Sequence, residues 1–485
     1  MGFLKQVEEW GLDQRIDGCQ KEMIEKLAAL VAIPSIATEM TDYGMPYGPD
    51  IANALHYALE LAEELGFATH NEDDRYGWAE TGDRGPLVGI FTHLDIVPAG
   101  DGWTFDPFQV TEQDGCLYGR GILDNKGPAV ACLYALKTCC DMGISWPCRV
   151  RIWFGTNEEK GMNDIQLYIR KYGAPDFAFV PDSQFPLSYS ELGTTTFQIR
   201  NHYRPEVNDQ GQPLRLVKFE TKEHANGIPP YASVRLEAES EELAEAVCGQ
   251  VSRFAGQRAM ALRASRQGRQ VLVESEGRAS AHWNDPWTAV NALAQLVLFL
   301  HTVSVGREAD RLIGFVAEKI GTETDGASLG IRTVTETASL SLALEGVCLD
   351  DFGLAFQLFL IAPAQVRCEV LLDSILRSIR NAHMELSVSS MGPGFMHDQE
   401  MPLLKLLYQS YCQVTGSQDP VKVCGGTYAK FIPGAVPFGA IFTPEKDLCH
   451  VPDEHIEIRD LMLWTKIYAN ALLRIADYVE EAGHE

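Results

Sequence analysis

A short apolar run at residues 87–91 recurs in kind down the first third of the chain, each time separated from the next by a segment of helical periodicity. Residues 149–154 and 177–180 read as strands, while 129–140 and 165–171 place their apolar positions at helical spacing. Upstream, QKEMIEKLAALVAI from Gln20 and IANALHYALELAEELG from Ile51 read as two amphipathic helices, the first stopped by Pro34 and the second by Gly66. Strands alternating with helices predict an α/β fold built on a mostly parallel sheet with helices on its faces. That architecture directs attention to the residues just after each strand, because open sheets of this kind bind ligands at the carboxyl ends of their strands.

From about Leu192 the texture changes. TTTFQIRNHY, LRLVKFET and YASVRLEAES alternate like strands with one exposed face, and the helical segments ELAEAVCGQVSRFAG and AVNALAQLVLFLHTV lie among them. The last hundred residues return to α/β character, with PLLKLLYQSYCQVTG as a helix, VPFGAIF as a strand and a long helix from Arg459. The expected organisation is a first domain in two parts, 1–191 and 383–485, split by an inserted α+β domain at 192–382. At 485 residues the chain is too long for a single core, which agrees with this division.

The polar residues at the strand ends are of one chemical kind. THLDIVPAGDGW puts His93 and Asp95 after the first run, and LYGRGILDNKGP puts Asp124 between a Gly-rich turn and a helix. WFGTNEEKG supplies Glu158 and Glu159, FAFVPDSQFP supplies Asp182, and FTPEKDLCHVPDE places His450 in a loop before the final helix. A lone His-x-Asp is more often a core histidine beside a turn carboxylate, and a lone Glu pair is more often an exposed turn. Four further segments joining the His93–Asp95 pair at one sheet edge favour a ligand site instead. Two imidazoles and three carboxylates suit Zn2+ or a similar divalent ion. They exceed what one catalytic zinc takes, so two ions sharing a carboxylate fit better. With Asp124 as bridge, His93 and Asp182 serve one ion, and Glu159 and His450 the other. Adjacent glutamates do not easily face one ion, which leaves Glu158 to act as general base.

Composition narrows the partners. A formal charge of −27 argues against nucleic acid and anionic membrane surfaces. The longest apolar stretches are too short to span a bilayer, and the polar N-terminus lacks the apolar core of a secretory signal. Twelve cysteines without paired spacing read as reduced thiols, so a cytoplasmic protein is expected.

Taken together, THLDIVPAGDGW, LYGRGILDNKGP, GTNEEKG, VPDS, CGGTYAK and CHVPDEH resemble, in order and spacing, the M20 metallopeptidase family, and within it the PepV-like, carnosinase-related dipeptidases. The resemblance covers essentially the whole chain. It implies a dizinc catalytic domain with the inserted α+β domain as a lid, and two Zn2+ per chain, with Mn2+ or Co2+ as substitutes. It also implies hydrolysis of the peptide bond of short peptides. By position it makes His93, Asp124, Glu159, Asp182 and His450 the metal ligands, Asp95 the residue that orients His93, and Glu158 the base. GRASAHWNDP matches the family's lid motif and makes His282 the group that polarises the substrate carbonyl, and EHANGIPPYASV makes Asn226 a substrate contact. Gly426 and Thr427, in the turn that starts at Gly425, would present backbone N–H groups to the substrate. A large lid of two similar parts resembles the monomeric members, so a monomer is expected.

Two positions depart from the pattern. In FLIAPAQVRCE, Ile361 stands where the family's lid carries an Arg for the substrate carboxylate, with Arg367 nearby, and an alkyl group cannot replace a bidentate guanidinium. In GGTYAK, Lys430 replaces the usual Arg, keeping charge but losing the planar fork. Alongside a dipeptidase, these departures keep open a metal-dependent amidohydrolase acting on N-acyl or modified amino acids, and a non-catalytic metal-binding relative.

Overall fold

Strand β1 (Ala68–Asn71), β2 (Gly77–Thr81), β3 (Leu87–His93), β4 (Arg149–Gly155), β5 (Phe177–Val180) and β6 (Ala435–Pro437) line up in the order β1-β2-β4-β3-β5-β6 in the computed structural model. The structure describes residues 2–3, 11–37, 45–205, 211–222, 228–279, 286–335, 338–380 and 383–483. The fold is mixed α/β. The sheet is mixed: β4, β3, β5 and β6 pair in parallel, whereas β1–β2 and β2–β4 are antiparallel. β1 and β2 are joined by a short turn, EDDRY, which permits only a hairpin.

Alternation along the parallel strands divides two cores. Val88 and Ile90 of β3 and Val150, Ile152 and Phe154 of β4 face the main apolar cluster. That cluster is built with α1 (Gln20–Val31), α2 (Pro49–Glu64), α3 (Lys126–Asp141), α4 (Pro402–Thr415) and α5 (Ile458–Ala482). On the other face Phe91 and Trp153 join Tyr76, Tyr168 and Tyr428 in an aromatic cluster with centroids 5.1–5.8 Å apart. Helix α3 is buried along almost its whole length, as its sequence KGPAVACLYALKTCCD, apolar on all sides, requires. It needs glycine at 127, where a Cβ would lie 2.1 Å from the Ile122 carbonyl oxygen and 3.3 Å from the Trp464 ring.

The chain divides into two compact units, Met1–Glu191 with Met396–Glu485, and Leu192–Phe395. The second junction lies beyond the expected 382. The reason is Glu385–Gly392, an ELSVSSMG segment of weak apolar alternation that pairs antiparallel with Gly193–His202 and so belongs to the inserted unit. The inserted unit contains two four-stranded antiparallel sheets. One runs Ser341–Asp350, Gly353–Ala362, Gly193–His202, Glu385–Gly392, and the other Leu214–Thr221, Tyr231–Ala238, Gln270–Glu276, Leu262–Gln267. Its helices Glu241–Arg258 and Ala292–Leu300 are started by side-chain caps from Ser240 and Asn291. The expected strand VPFGAIF is two short strands, because β6 stops at Pro437 and Ala440–Ile441 pairs elsewhere, with Ser183–Gln184. Among the described residues, no helix is long and apolar enough to cross a membrane.

Candidate metal centre and active site

Parallel pairing places the ends of β3, β4 and β5 along one edge. His93 is the last residue of β3 and is level with Gly155, the last of β4; Glu158 and Glu159 come just beyond it. Asp182 comes two residues after β5. Asp124 arrives on the turn that opens α3, through a cis peptide to Asn125, and His450 arrives on the loop before α5 with a left-handed backbone, φ 65°.

These side chains form two groups that share Asp124: His93, Asp124 and Asp182 in one, and Asp124, Glu159 and His450 in the other. His93 Nε2 lies 2.9 Å from Asp124 Oδ1 and 3.7 Å from Asp182 Oδ2. His450 Nε2 lies 3.1 Å from Asp124 Oδ2 and 3.2 Å from Glu159 Oε1. Each oxygen of Asp124 therefore serves one group. Bonds of about 2.1 Å in a tetrahedron set donors about 3.4 Å apart, so the spacings in both groups fit a divalent ion. The all-nitrogen-and-oxygen donor set suits Zn2+, Mn2+ or Co2+.

The electrostatics call for cations. Glu158 is raised well above the usual carboxylate range by burial and then by the charge of Asp182. Burial, and then Asp124, push Asp182 up to about 8, and burial raises Glu159 as well. Burial alone would lower both imidazoles. Hydrogen bonds to the carboxylates of Asp124 and Asp95 nevertheless hold His93 well above its usual value, and Glu159 with Asp124 pushes His450 up to about 12. A partly buried set of four carboxylates with two imidazoles, of which only His93 is fully buried, is short of positive charge, and two divalent ions would supply it.

The supporting contacts are specific. His93 Nδ1 sits 2.9 Å from the carbonyl oxygen of Asp95, which leaves the Nε2 lone pair for a ligand. The Asp95 carboxylate is 3.5 Å from the same ring nitrogen, and its main contacts lie elsewhere. It accepts the backbone N–H of Glu158 at 3.1 Å and of Glu159 at 3.0 Å, and so fixes the direction of the glutamate pair. Asn125 donates to the Pro181 carbonyl at 2.7 Å, tying the Asp124 turn to the end of β5. Asp164, unremarked in the sequence, is fully buried and gathers Thr156 N, Asn157 N and the Tyr428 hydroxyl on one oxygen, at 2.7, 3.0 and 2.6 Å. Glu191, also buried, holds Thr427 through its N–H and hydroxyl. Glu454 grips the turn leading into Asp124. Glu454 lies inside the CHVPDEH motif without having been singled out, and nothing in the sequence marked Asp164 or Glu191.

The remaining expected contacts occupy varied settings. Thr427 is buried and caps the short helix Tyr428–Phe431 through Ala429 N. Gly426 lies under the Lys430 side chain, whose Cε would be 2.7 Å from a Cβ there. Lys430 is buried, 8% exposed. Ile361 is buried in Gly353–Ala362, and Arg367 is exposed, 3.5 Å from Glu369. His282 and Asn226 lie outside the described residues, so their expected roles stay with the family resemblance.

Comparison with known proteins bears on the family and the fold. The family model for peptidase family M20/M25/M40 matches residues 89–474. A Staphylococcus haemolyticus protein named "putative dipeptidase" is 29% identical over 464 residues, 95% of this chain and 98% of its own. A Staphylococcus epidermidis protein of the same name is 30% identical over 457 residues, 93% and 97%. The fold is similar to that of human carnosine dipeptidase 1, with a TM-score of 0.61 at 17% identity, covering 98% of this chain and 99% of that one. With four-fifths of its length matched by the family model, and its acidic and imidazole groups gathered at the sheet edge, the chain belongs to peptidase family M20/M25/M40.

Proposed function

We propose that this chain is a dipeptidase that uses two Zn2+ ions, one in each donor group, with Glu158 as general base. The observation that carries the proposal is the division of one carboxylate, Asp124, between two imidazole-containing groups beside Glu158. Bound there, the cations would supply Lewis-acid polarisation of the scissile carbonyl and acidify the attacking water. Glu158 takes the proton from that water and later returns it to the leaving amine. The Asp95 contacts to Glu158 N and Glu159 N keep the base aimed while its proton comes and goes. The dipeptide as substrate is drawn from the staphylococcal relatives' names. Residence in a cytoplasm and a monomeric state belong to the same proposal.

A second reading, hydrolysis of N-acyl or otherwise modified amino acids, is favoured by Ile361, which is buried among apolar strand residues where the family pattern places a guanidinium. Arg367 is no substitute within its own unit, being exposed and paired with Glu369. Unblocked dipeptides and N-acyl amino acids, offered to Zn2+- or Mn2+-loaded protein, separate the two. Turnover of neither leaves the non-catalytic relative. Glu158→Gln should lower turnover by about 10²–10⁴-fold with bound metal unchanged; activity within tenfold of wild type refutes its role as base.

A further inference from the structure

We infer that Glu454 is a positioning residue that builds the His450–Asp124–Glu159 group, so that its loss weakens one cation selectively; this rests on the two-cation reading above. The ligands reach the site on two kinds of support. His93 ends a hydrogen-bonded strand, and Asp182 comes just after one, with the adjacent Ser183 N–H donating to the Gly439 carbonyl at 2.6 Å. Asp124 and His450 sit instead on turns, at residues 119–125 and 442–454, outside any sheet pairing.

Glu454 joins those two turns. It is 0% exposed. Its Oε2 accepts Arg120 Nη1 at 2.7 Å and Gly121 N at 3.1 Å, and its Oε1 accepts Leu123 N at 2.8 Å and Asp124 N at 3.3 Å. Its own carbonyl accepts Gly119 N at 3.0 Å. Arg120 continues the join by donating to the Ala99 carbonyl at 3.3 Å and lying over the Trp103 ring at 5.1 Å. Next door, Asp453 accepts Thr104 N at 2.8 Å and its hydroxyl at 2.7 Å. Four donors converge on one carboxylate, and only an acceptor-only group satisfies them all. A Gln would turn an NH2 toward donors already pointing inward.

The selectivity arises from which ligands are shared. A slack turn at 119–124, free of the His450 segment, displaces two of three donors in the His450–Asp124–Glu159 group. In the His93–Asp124–Asp182 group it displaces one, and there Asn125 still ties the turn to Pro181 at 2.7 Å.

The test is Zn2+ titration of Glu454→Gln and wild type against a chromogenic chelator, with Co2+ absorption as a second readout. Wild type should bind two equivalents. The variant should keep one within about threefold and lose about 10–100-fold on the other, the usual cost of removing a group that orients metal ligands. Co2+ bands of the second equivalent should weaken in parallel. Equal weakening of both, no weakening, or a lower melting temperature with an unchanged ratio of the two affinities overturns the inference. A wild type that binds fewer than two equivalents overturns the two-cation reading itself. Should Glu454→Gln fail to fold, Arg120→Lys removes the fork opposite the carboxylate and must show the same one-sided loss; an unchanged ratio there overturns the inference equally.

Discussion

Tyr428→Phe deletes one oxygen, and the structure says what that should cost. The hydroxyl lies 2.6 Å from Asp164 Oδ2, the length of a charge-assisted O–H···O bond, inside a fully buried pocket. A hydrogen bond to an ionised group contributes about 1.5–3 kcal/mol. Burial, and then the charge of Asp95, push Asp164 up to about 6, while the Tyr428 hydroxyl pulls the other way. Its removal raises Asp164 further. With the folded pKa above the unfolded one, the native state holds the extra proton, so this group's contribution falls as pH rises from the ordinary value of 3.8 to about 6. In the variant the fall continues to higher pH. The stability gap between wild type and Y428F should therefore be small, about 1 kcal/mol, where Asp164 is protonated in both proteins, and reach its full value in alkali. Thermal melts in chelator, which removes the separate pH dependence of metal binding, should differ by about 2–5 °C at high pH and clearly less in acid. A gap that does not change with pH, or no gap in alkali, refutes the Asp164 account.

Two further outcomes are expected. Gly155→Ala places a Cβ 2.1 Å from the Tyr428 hydroxyl oxygen and 2.6 Å from its Cζ, on a paired strand against a fully buried ring. It should cost about 3 kcal/mol, the upper range for overpacking, seen as a lower urea midpoint; a midpoint equal to wild type contradicts this packing. Zn2+ at about a hundred times its Kd should stabilise the folded chain by about 2.7 kcal/mol relative to chelator; identical melting temperatures in the two buffers contradict a cation site.

The residues that the sequence exposes and those it hides differ in physical kind. His93 ends one apolar strand and Glu159 and Asp182 follow two others, and a sheet with parallel inner strands leaves their side chains one edge to occupy; the periodicity of 87–91, 149–154 and 177–180 therefore located them. Asp164 and Glu191 were hidden because a buried carboxylate that collects backbone N–H groups has no local pattern, and nothing about ELGTTTFQ or NDIQLY distinguishes it from a solvated acid. Asp95 was legible as a partner of His93 but not as the holder of Glu158 and Glu159, a contact across 63 residues. The domain junction was misplaced because ELSVSSMG owes its strand to pairing with Gly193–His202, not to its own side chains.

The helix Lys126–Asp141 begins two residues after Asp124, the carboxylate common to both donor groups, and runs enclosed through the core, its Gly127 tight against Trp464. The reactive edge is thus spliced to the least compressible part of the molecule. Drift in packing as far away as the Trp464 indole is transmitted along a rigid rod to the carboxylate at its tip, so selection on chemistry and selection on interior volume act on the same residues.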